Sequence, residues 1–503
     1  MIVTPVPYRS KPTSRVTILA LFAKAEVRQH PFFSGLPSGV QQTVLAFVKS
    51  KEFAGRADEV RVIPYGSTGK SVLLLGLGEK KTWNHRTAMV ASRRIVMVAK
   101  QHRLVDVAVR LEDLAWANAS PSAVAQVITE NAHLAHYDYT RYRSSPTGGW
   151  PNVRKLTLLC AVGILPAVKR GVKAGTVIAD ATNHARDLAN TPGGDLTPEG
   201  VSAAAVNVGK DHGVRVHVLH KKDLEKLGAG GILGVARGSD APPTLTIMEY
   251  AAPGHAKDQP LVFIGKGVTF DSGGLNVKPD TSMYEMHMDM SGGAAVIGAL
   301  AAVAQLKLPV RVIGLIPAAE NMSAGAAYRP GDQLKSLSGK TIEVMHTDAE
   351  GRILLADALT YAERYQPAAV IDVATLTGAA VVALGNRAAA LLSPNETFSQ
   401  ELRTLAETSG DFAWPLPLWT EYEAEIKGTF GDFSNTGKSR SGGAITAAAF
   451  LWQFAKKFSK WAHMDIAPTM TSIEGQHLAK GATGAGTRLL VAYARSLVAS
   501  LQE

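Results

Sequence analysis

Short runs of β-branched and aliphatic residues alternate with helix-compatible stretches along most of the chain, and this alternation restricts the fold more than any other feature. In the first third, residues 60–63, 71–75 and 105–111 read as strands and 86–101 as a helix. After Pro166 a helix-compatible stretch, 168–189, ends at the hard stop Asn190-Thr-Pro-Gly-Gly194. Beyond it the pattern predicts a helix over 198–212, strands over 214–219, 244–250 and 260–264, a helix over 292–305 and a strand over 310–316. The expected fold class is α/β: a smaller N-terminal α/β domain (1–167), a connecting helix (168–192) and a larger C-terminal domain (193–503) with a mixed sheet covered by helices. A chain of 503 residues, 46% of them apolar, has ample material for more than one core.

No run approaches the roughly 18 uninterrupted apolar residues of a spanning helix, so no membrane association is expected. The basic residues Arg9, Lys11 and Arg15, followed by the apolar run 16–22, faintly imitate a secretory leader, but Lys24 and Glu26 follow at once and a buried first strand is the better reading. Cys160 is the single cysteine, which excludes an intrachain disulfide and fits a reducing, cytoplasmic setting. The basic excess is confined to the first third, where 22 Lys and Arg face 10 Asp and Glu. A solvated surface explains it most simply, with DNA or another polyanion as the alternative partner. Gly76-Leu-Gly78 follows a strand, yet Lys81 stands where a dinucleotide loop needs its third glycine, so a tight turn is expected.

Chemistry concentrates between Lys266 and Arg352. Gly265-Lys-Gly-Val-Thr-Phe-Asp-Ser-Gly-Gly274 places Asp271 just past a strand, beside two glycines that permit a tight bend. Asp348 and Glu350 follow the strand-like run 341–345 at a spacing of two, which puts both carboxylates on one side if the extended conformation persists. A turn at Gly351 and a helix over 353–364 would then leave the pair at the end of a strand, where α/β sheets commonly bind ligands. Read singly, each residue is a solvated strand end, a turn former or a helix start. Together, Asp271, Asp289, Asp348 and Glu350 carry four negative charges. Two divalent cations would balance them, and oxygen-rich ligand sets suit Mg²⁺, Mn²⁺ or Zn²⁺.

At these residues the chain resembles the leucyl, or cytosol, aminopeptidase family of binuclear metallopeptidases, over residues 168–503. The family's Asn-Thr-Asp-Ala-Glu-Gly-Arg stands here as His346-Thr-Asp-Ala-Glu-Gly-Arg352, and the segment from Gly265 to Gly274 is similar to its other hallmark. The resemblance implies removal of N-terminal residues, Leu or other apolar ones, from peptides with a free amine. It implies one divalent ion on Lys266, Asp271, Asp289 and Glu350 and a second on Asp271, Asp348 and Glu350, as Zn²⁺ or Mn²⁺ with Mg²⁺ or Co²⁺ as alternatives. Lys278 would stabilise the tetrahedral intermediate electrostatically, and Arg352 would hold a bicarbonate general base. Met286, Thr375, Gly378, Ala467 and Met470 would line the pocket for the first side chain, with backbone contacts from Leu376. The resemblance further implies a homohexamer, and bacterial members of the family can also bind DNA. An inactive structural or nucleic-acid-binding member is the competing reading. His346 departs from the family's Asn and is expected to replace its hydrogen bond; His287 is expected to be packed or exposed, and His463 a hydrogen-bonded core histidine.

Overall fold

The computed structural model describes residues 1–8, 14–66 and 69–500. Arg9 and Lys11 lie outside the described residues. The chain forms two compact units, Met1–Asp180 with Ile473–Ala479, and Ala181–Ser472 with Lys480–Glu503. The division between them falls inside one 26-residue helix, Leu165–Asn190. Pro166, read from the sequence as preceding that helix, sits in its first turn, where a missing N–H costs no hydrogen bond.

The first unit is built on a six-stranded sheet in the order Ile2–Pro7, Lys155–Cys160, Asp106–Arg110, Val16–Leu21, Lys70–Gly76, Val60–Tyr65. Neighbours pair in parallel except the last two, which are antiparallel. Every residue of Val16–Leu21 is buried, consistent with an apolar run in a central strand. It is the second strand rather than the first, because Ile2–Pro7 precedes it and forms one edge of the sheet. The helix His85–Gln101 opens with a reciprocal cap: Thr87 N–H donates to the Asn84 side chain, and Asn84 N–H donates to Thr87 Oγ1. Gly76-Leu-Gly78 ends the strand Lys70–Gly76, with Gly78 at a positive φ of 80°.

The second unit is built on a nine-stranded mixed sheet. Its main path runs Ala413–Pro415, Ala389–Leu392, Trp461–Asp465, Ala369–Ala374, Leu261–Gly265, Arg311–Asn321, Thr244–Ala251, Arg215–Leu219, and Gly267–Asp271 pairs off this path with Arg311–Asn321. The four strands from Trp461–Asp465 to Arg311–Asn321 are mutually parallel, so their carboxyl ends share one edge. The helix Pro198–His212 has the bounds its sequence predicts: Thr197 caps its start, Pro198 occupies its first position, and Gly213 closes it in the left-handed conformation. The helix Ser291–Gln305 is buried over nearly its whole circumference, which its Ala- and Gly-rich sequence allows. The stretch Asp280–Gln305 is long and apolar enough on average to cross a membrane, although it holds no uninterrupted apolar run of that length, and 89% of its most apolar 18-residue window is buried inside the fold.

Candidate metal centre

The carboxyl ends of the parallel strands open into a cavity of about 390 Å³. Its lining brings together Lys266, Asp271, Lys278, Met286, Asp289, Asp348, Glu350, Arg352, Thr375, Leu376, Gly378, Ala467 and Met470, every residue named from the sequence as a candidate for metal, catalysis or substrate, together with His346. Lys266 directly follows the strand Leu261–Gly265, Asp271 ends the strand Gly267–Asp271, and Thr375 follows Ala369–Ala374. Asp289 closes the short 3-10 turn Met286–Met288, just before the buried helix Ser291–Gln305.

Asp348 and Glu350 arrive by a different local path from the expected one. The strand stops at Glu343, and the residues that follow form a turn rather than an extended run. Glu350 already has helical dihedrals, as the residue preceding the helix Gly351–Ala362. The turn is held from both flanks. His346 Nδ1 accepts the Asp348 N–H at 3.2 Å, while Asn435 Nδ2 donates to the His346 carbonyl at 2.7 Å. Thr347 donates its hydroxyl to the Gly273 carbonyl at 2.6 Å, and its own carbonyl accepts from Asn321 Nδ2 at 3.0 Å and the Tyr328 hydroxyl at 2.5 Å. Gly273 and Gly274 take the positive φ values, 89° and 65°, that fold this loop back.

Among the described residues, Asp271, Asp348 and Glu350 form a group whose candidate ligand atoms all lie within 4.8 Å of one another. Lys266 Nζ lies 2.7 Å from Asp289 Oδ2 and 2.8 Å from Glu350 Oε1, and it also donates to the Thr375 carbonyl at 3.1 Å. Lys278 Nζ lies 2.8 Å from Asp271 Oδ2 and 2.5 Å from Asp348 Oδ1. Two ammonium groups do not neutralise four carboxylates. Burial and the neighbouring carboxylates push Asp271 and Asp289 above the ordinary range and Asp348 up to about 7. Glu350 is lowered: burial opposes its charge, but Lys266 and Lys278 outweigh that. Burial likewise opposes charge on both lysines, and the carboxylates around them hold both ammoniums above their usual value.

Three observations test whether divalent cations fit this set. The donors are mainly carboxylate oxygens, which suit hard or borderline cations. Three of the four acids are pushed upward, which added positive charge would relieve. Glu350 Oε2 is buried with no hydrogen-bond partner, although its carboxylate stands at the middle of the cluster. The residues fit. Lys266 can join as a ligand only as the neutral amine, so cation binding and loss of its proton are linked.

Gly351 has a steric role here. A Cβ at that position would lie 2.5 Å from Lys266 Cε and 2.8 Å from its Nζ, so the helix start leaves room for the lysine only because residue 351 has no side chain. Arg352, next along, is 7% exposed and its Nε has no hydrogen-bond partner. Burial pulls its guanidinium down to about 10, against the pull of Glu350, Asp465 and Asp348.

Comparison with known proteins now bears on this centre. Residues 183–491 match the model of the cytosol aminopeptidase family, catalytic domain, and residues 18–146 match that family's N-terminal domain. The chain belongs to the cytosol aminopeptidase family. A probable cytosol aminopeptidase of Chlorobium limicola is 43% identical over 458 residues, covering 88% of this chain and 90% of the relative. One of Methylobacillus flagellatus is 42% identical over 439 residues, covering 86% of each. Among solved structures, the bottromycin maturation enzyme BotP in complex with Mn is 33% identical with a TM-score of 0.83, covering 96% of this chain and 99% of that one. Membership makes the chain an aminopeptidase of the metallopeptidase class, with the two-domain α/β architecture its sequence predicts.

Against the family's Asn, His346 supplies an equivalent acceptor for the Asp348 N–H. His287 is half-buried on the 3-10 turn. His463 is fully buried, and Nδ1 meets Asp372 Oδ1 at 2.5 Å, but Nε2 has no partner, so the expected satisfied histidine is satisfied on one side only. The sequence reading missed Asn321, whose Nδ2 donates to Asp271 Oδ1 at 2.7 Å, and Asn435 and Asp465, which order the loops around the cavity. It also missed Ala349, Thr377, Val381, Thr436 and Gly443 in the lining.

Proposed function

We propose that this cavity is the active centre of a leucyl-type aminopeptidase that works with two divalent ions, one held by Lys266, Asp271, Asp289 and Glu350 and the other by Asp271, Asp348 and Glu350. The observation that carries the reading is the convergence of Asp271, Asp348 and Glu350 within 4.8 Å, with Glu350 Oε2 left without a partner. Zn²⁺ and Mn²⁺ suit this mixed nitrogen and oxygen set, with Mg²⁺ or Co²⁺ as alternatives. When bound, such a pair supplies Lewis acidity toward the scissile carbonyl and brings the pKa of water toward neutrality.

The chain's own residues do the rest. Lys278, held charged by its carboxylate neighbours, stands at the cluster where negative charge develops on the substrate carbonyl, and stabilises it there. Arg352 has an unpaired buried Nε with which to hold a bicarbonate, the general base of this reading. Thr375 fixes Asp289, donating its hydroxyl to Oδ1 at 2.7 Å. Met286, Thr375, Gly378, Ala467 and Met470 form the wall for an apolar first side chain, and Leu376 offers its backbone. A peptide with a blocked amine could not join the ligand set, which gives exopeptidase selectivity. The relatives' names and the single buried Cys160 support a cytoplasmic location. A homohexamer fits the exposed apolar side chains Val277, Tyr284 and Phe430, which assembly would cover.

The test compares a leucine anilide with its N-acetyl counterpart on chelator-stripped protein, with and without Zn²⁺, Mn²⁺ or Mg²⁺. Metal-dependent cleavage of the free-amine substrate alone is expected. Failure to cleave it with any of the metals, or equal cleavage of the acetylated substrate, would overturn the reading.

A second reading concerns polyanions. The first unit carries a groove of about 1290 Å³ lined by Arg61 and the exposed Arg103, with Arg94 and Lys100 buried behind them and Lys100 paired with Asp138. DNA retention that falls steeply with salt would support it, and no retention at low salt would remove it.

A further inference from the structure

Asp465 ends the strand Trp461–Asp465 and is fully buried. Its carboxylate faces two loops that leave the sheet side by side. Oδ1 accepts the Leu376 N–H at 3.0 Å and the Ala467 N–H at 3.1 Å, and Oδ2 accepts the Thr377 hydroxyl at 2.6 Å. Thr377 in turn caps the helix Gly378–Leu384 by accepting the Ala380 N–H. Leu376 and Thr377, on one loop, and Ala467, with Met470 three residues on, on the other, all line the cavity. The sheet's last backbone bond between the two strands runs from Ile466 N–H to the Ala374 carbonyl at 2.8 Å. Beyond that point a single carboxylate oxygen, Oδ1, receives a bond from each loop, so neither can shift relative to the other without stretching a bond to Asp465.

We propose that Asp465 is a positioning residue that fixes the shape of the pocket for the substrate's first side chain by binding two of its lining loops to one carboxylate. The proposal rests on the reading above that Thr375, Gly378, Ala467 and Met470 receive that side chain. A buried carboxylate suits the task better than a neutral group, because bonds to a charged acceptor are shorter and stronger than neutral ones and hold a narrower geometry. Among the described residues no ion-binding side chain bonds to Asp465, so metal content is expected to hold; the charge of Asp465 also acts on Arg352, an effect common to all substrates that cancels in the ratio between them.

The test is Asp465→Ala and Asp465→Asn in the metal-loaded protein, with kcat and KM measured on alanine, leucine and methionine anilides and metal content measured per chain. Asn keeps an oxygen for the two N–H donors and loses the charge. With Asp465→Ala, the preference for Leu and Met over Ala is expected to fall about tenfold or more, mainly through KM, within the range a hydrophobic pocket commands. Asp465→Asn is expected to restore most of it, with metal content unchanged in both. If the three substrates decline by the same factor in both variants, or metal is lost in parallel with activity, the proposal is overturned. If Asp465→Ala does not fold, Asp465→Asn decides alone: a selectivity reduced by about two- to fivefold through KM supports the proposal, and an unchanged one overturns it. Failure of the wild type to cleave any free-amine anilide would instead sink the aminopeptidase reading, and is distinguishable because it precedes any comparison of variants.

Discussion

Lys278 extends its ammonium to 2.5 Å from Asp348 Oδ1, so a residue proposed to stabilise the substrate's developing charge also neutralises a carboxylate proposed to hold a cation. On that reading the two tasks would alternate: a cation held by Asp348 would leave the lysine to face the substrate. Lys278→Ala should therefore keep its metal content and lose turnover by about 10² to 10³, the range for removal of one oxyanion donor. Metal analysis and kcat on one preparation check this, and loss of the metals would make Lys278 a structural partner instead.

Glu350 stands in both proposed ligand sets and has one buried oxygen without a partner. Glu350→Ala should lose more than the roughly 10- to 100-fold typical of residues that only support a ligand, together with bound metal. Full activity and full metal in this variant would put the centre elsewhere.

His346 holds the Asp348 turn through Nδ1. Asn carries an acceptor at similar reach, so His346→Asn should keep activity within about threefold, whereas His346→Ala should cost about 0.5 to 1.5 kcal/mol of stability, the worth of one hydrogen bond. Thermal unfolding and anilide hydrolysis separate the two. Complete inactivation by the Asn variant would give the imidazole a chemical role.

Beneath the cavity, Asp372 accepts from Trp461 Nε1 at 2.7 Å and meets His463 Nδ1 at 2.5 Å. Burial pulls His463 down, but the charge and hydrogen bond of Asp372 outweigh it and hold the imidazole above its ordinary value. The stabilisation is full below the unfolded histidine value of about 6.5 and is lost as pH rises through the higher folded value. His463→Gln should cost about 3 to 5 kcal/mol near pH 6, as for a broken buried pair, and the gap to wild type should narrow at alkaline pH. Urea midpoints across that window check it; a gap independent of pH would mean the histidine titrates alike folded and unfolded, and a gap that widens with pH would mean it is neutral in the fold.

The cluster of polar residues around the cavity was legible from sequence because these residues stand close together along the chain, between Lys266 and Arg352. Asn321, Asn435 and Asp465 were not, because each acts on a partner 50 or more residues away, through a contact that only the sheet creates. The edge strand Ile2–Pro7 escaped notice because Pro5 and Pro7 argue against an interior strand, and an edge is where such prolines are tolerated. The turn at 346–350 reads as extended chain in the sequence because local spacing cannot reveal a loop bent by bonds to Asn276, Asn321 and Asn435.

Gly351 shapes the space in which the Lys266 amine rests. Any missense change in its codon adds a carbon 2.5 Å from Lys266 Cε, well inside contact distance. A lineage could thus disable this centre without altering a single ligand, and a survey that scores only ligands and charged groups would pass such a protein as intact.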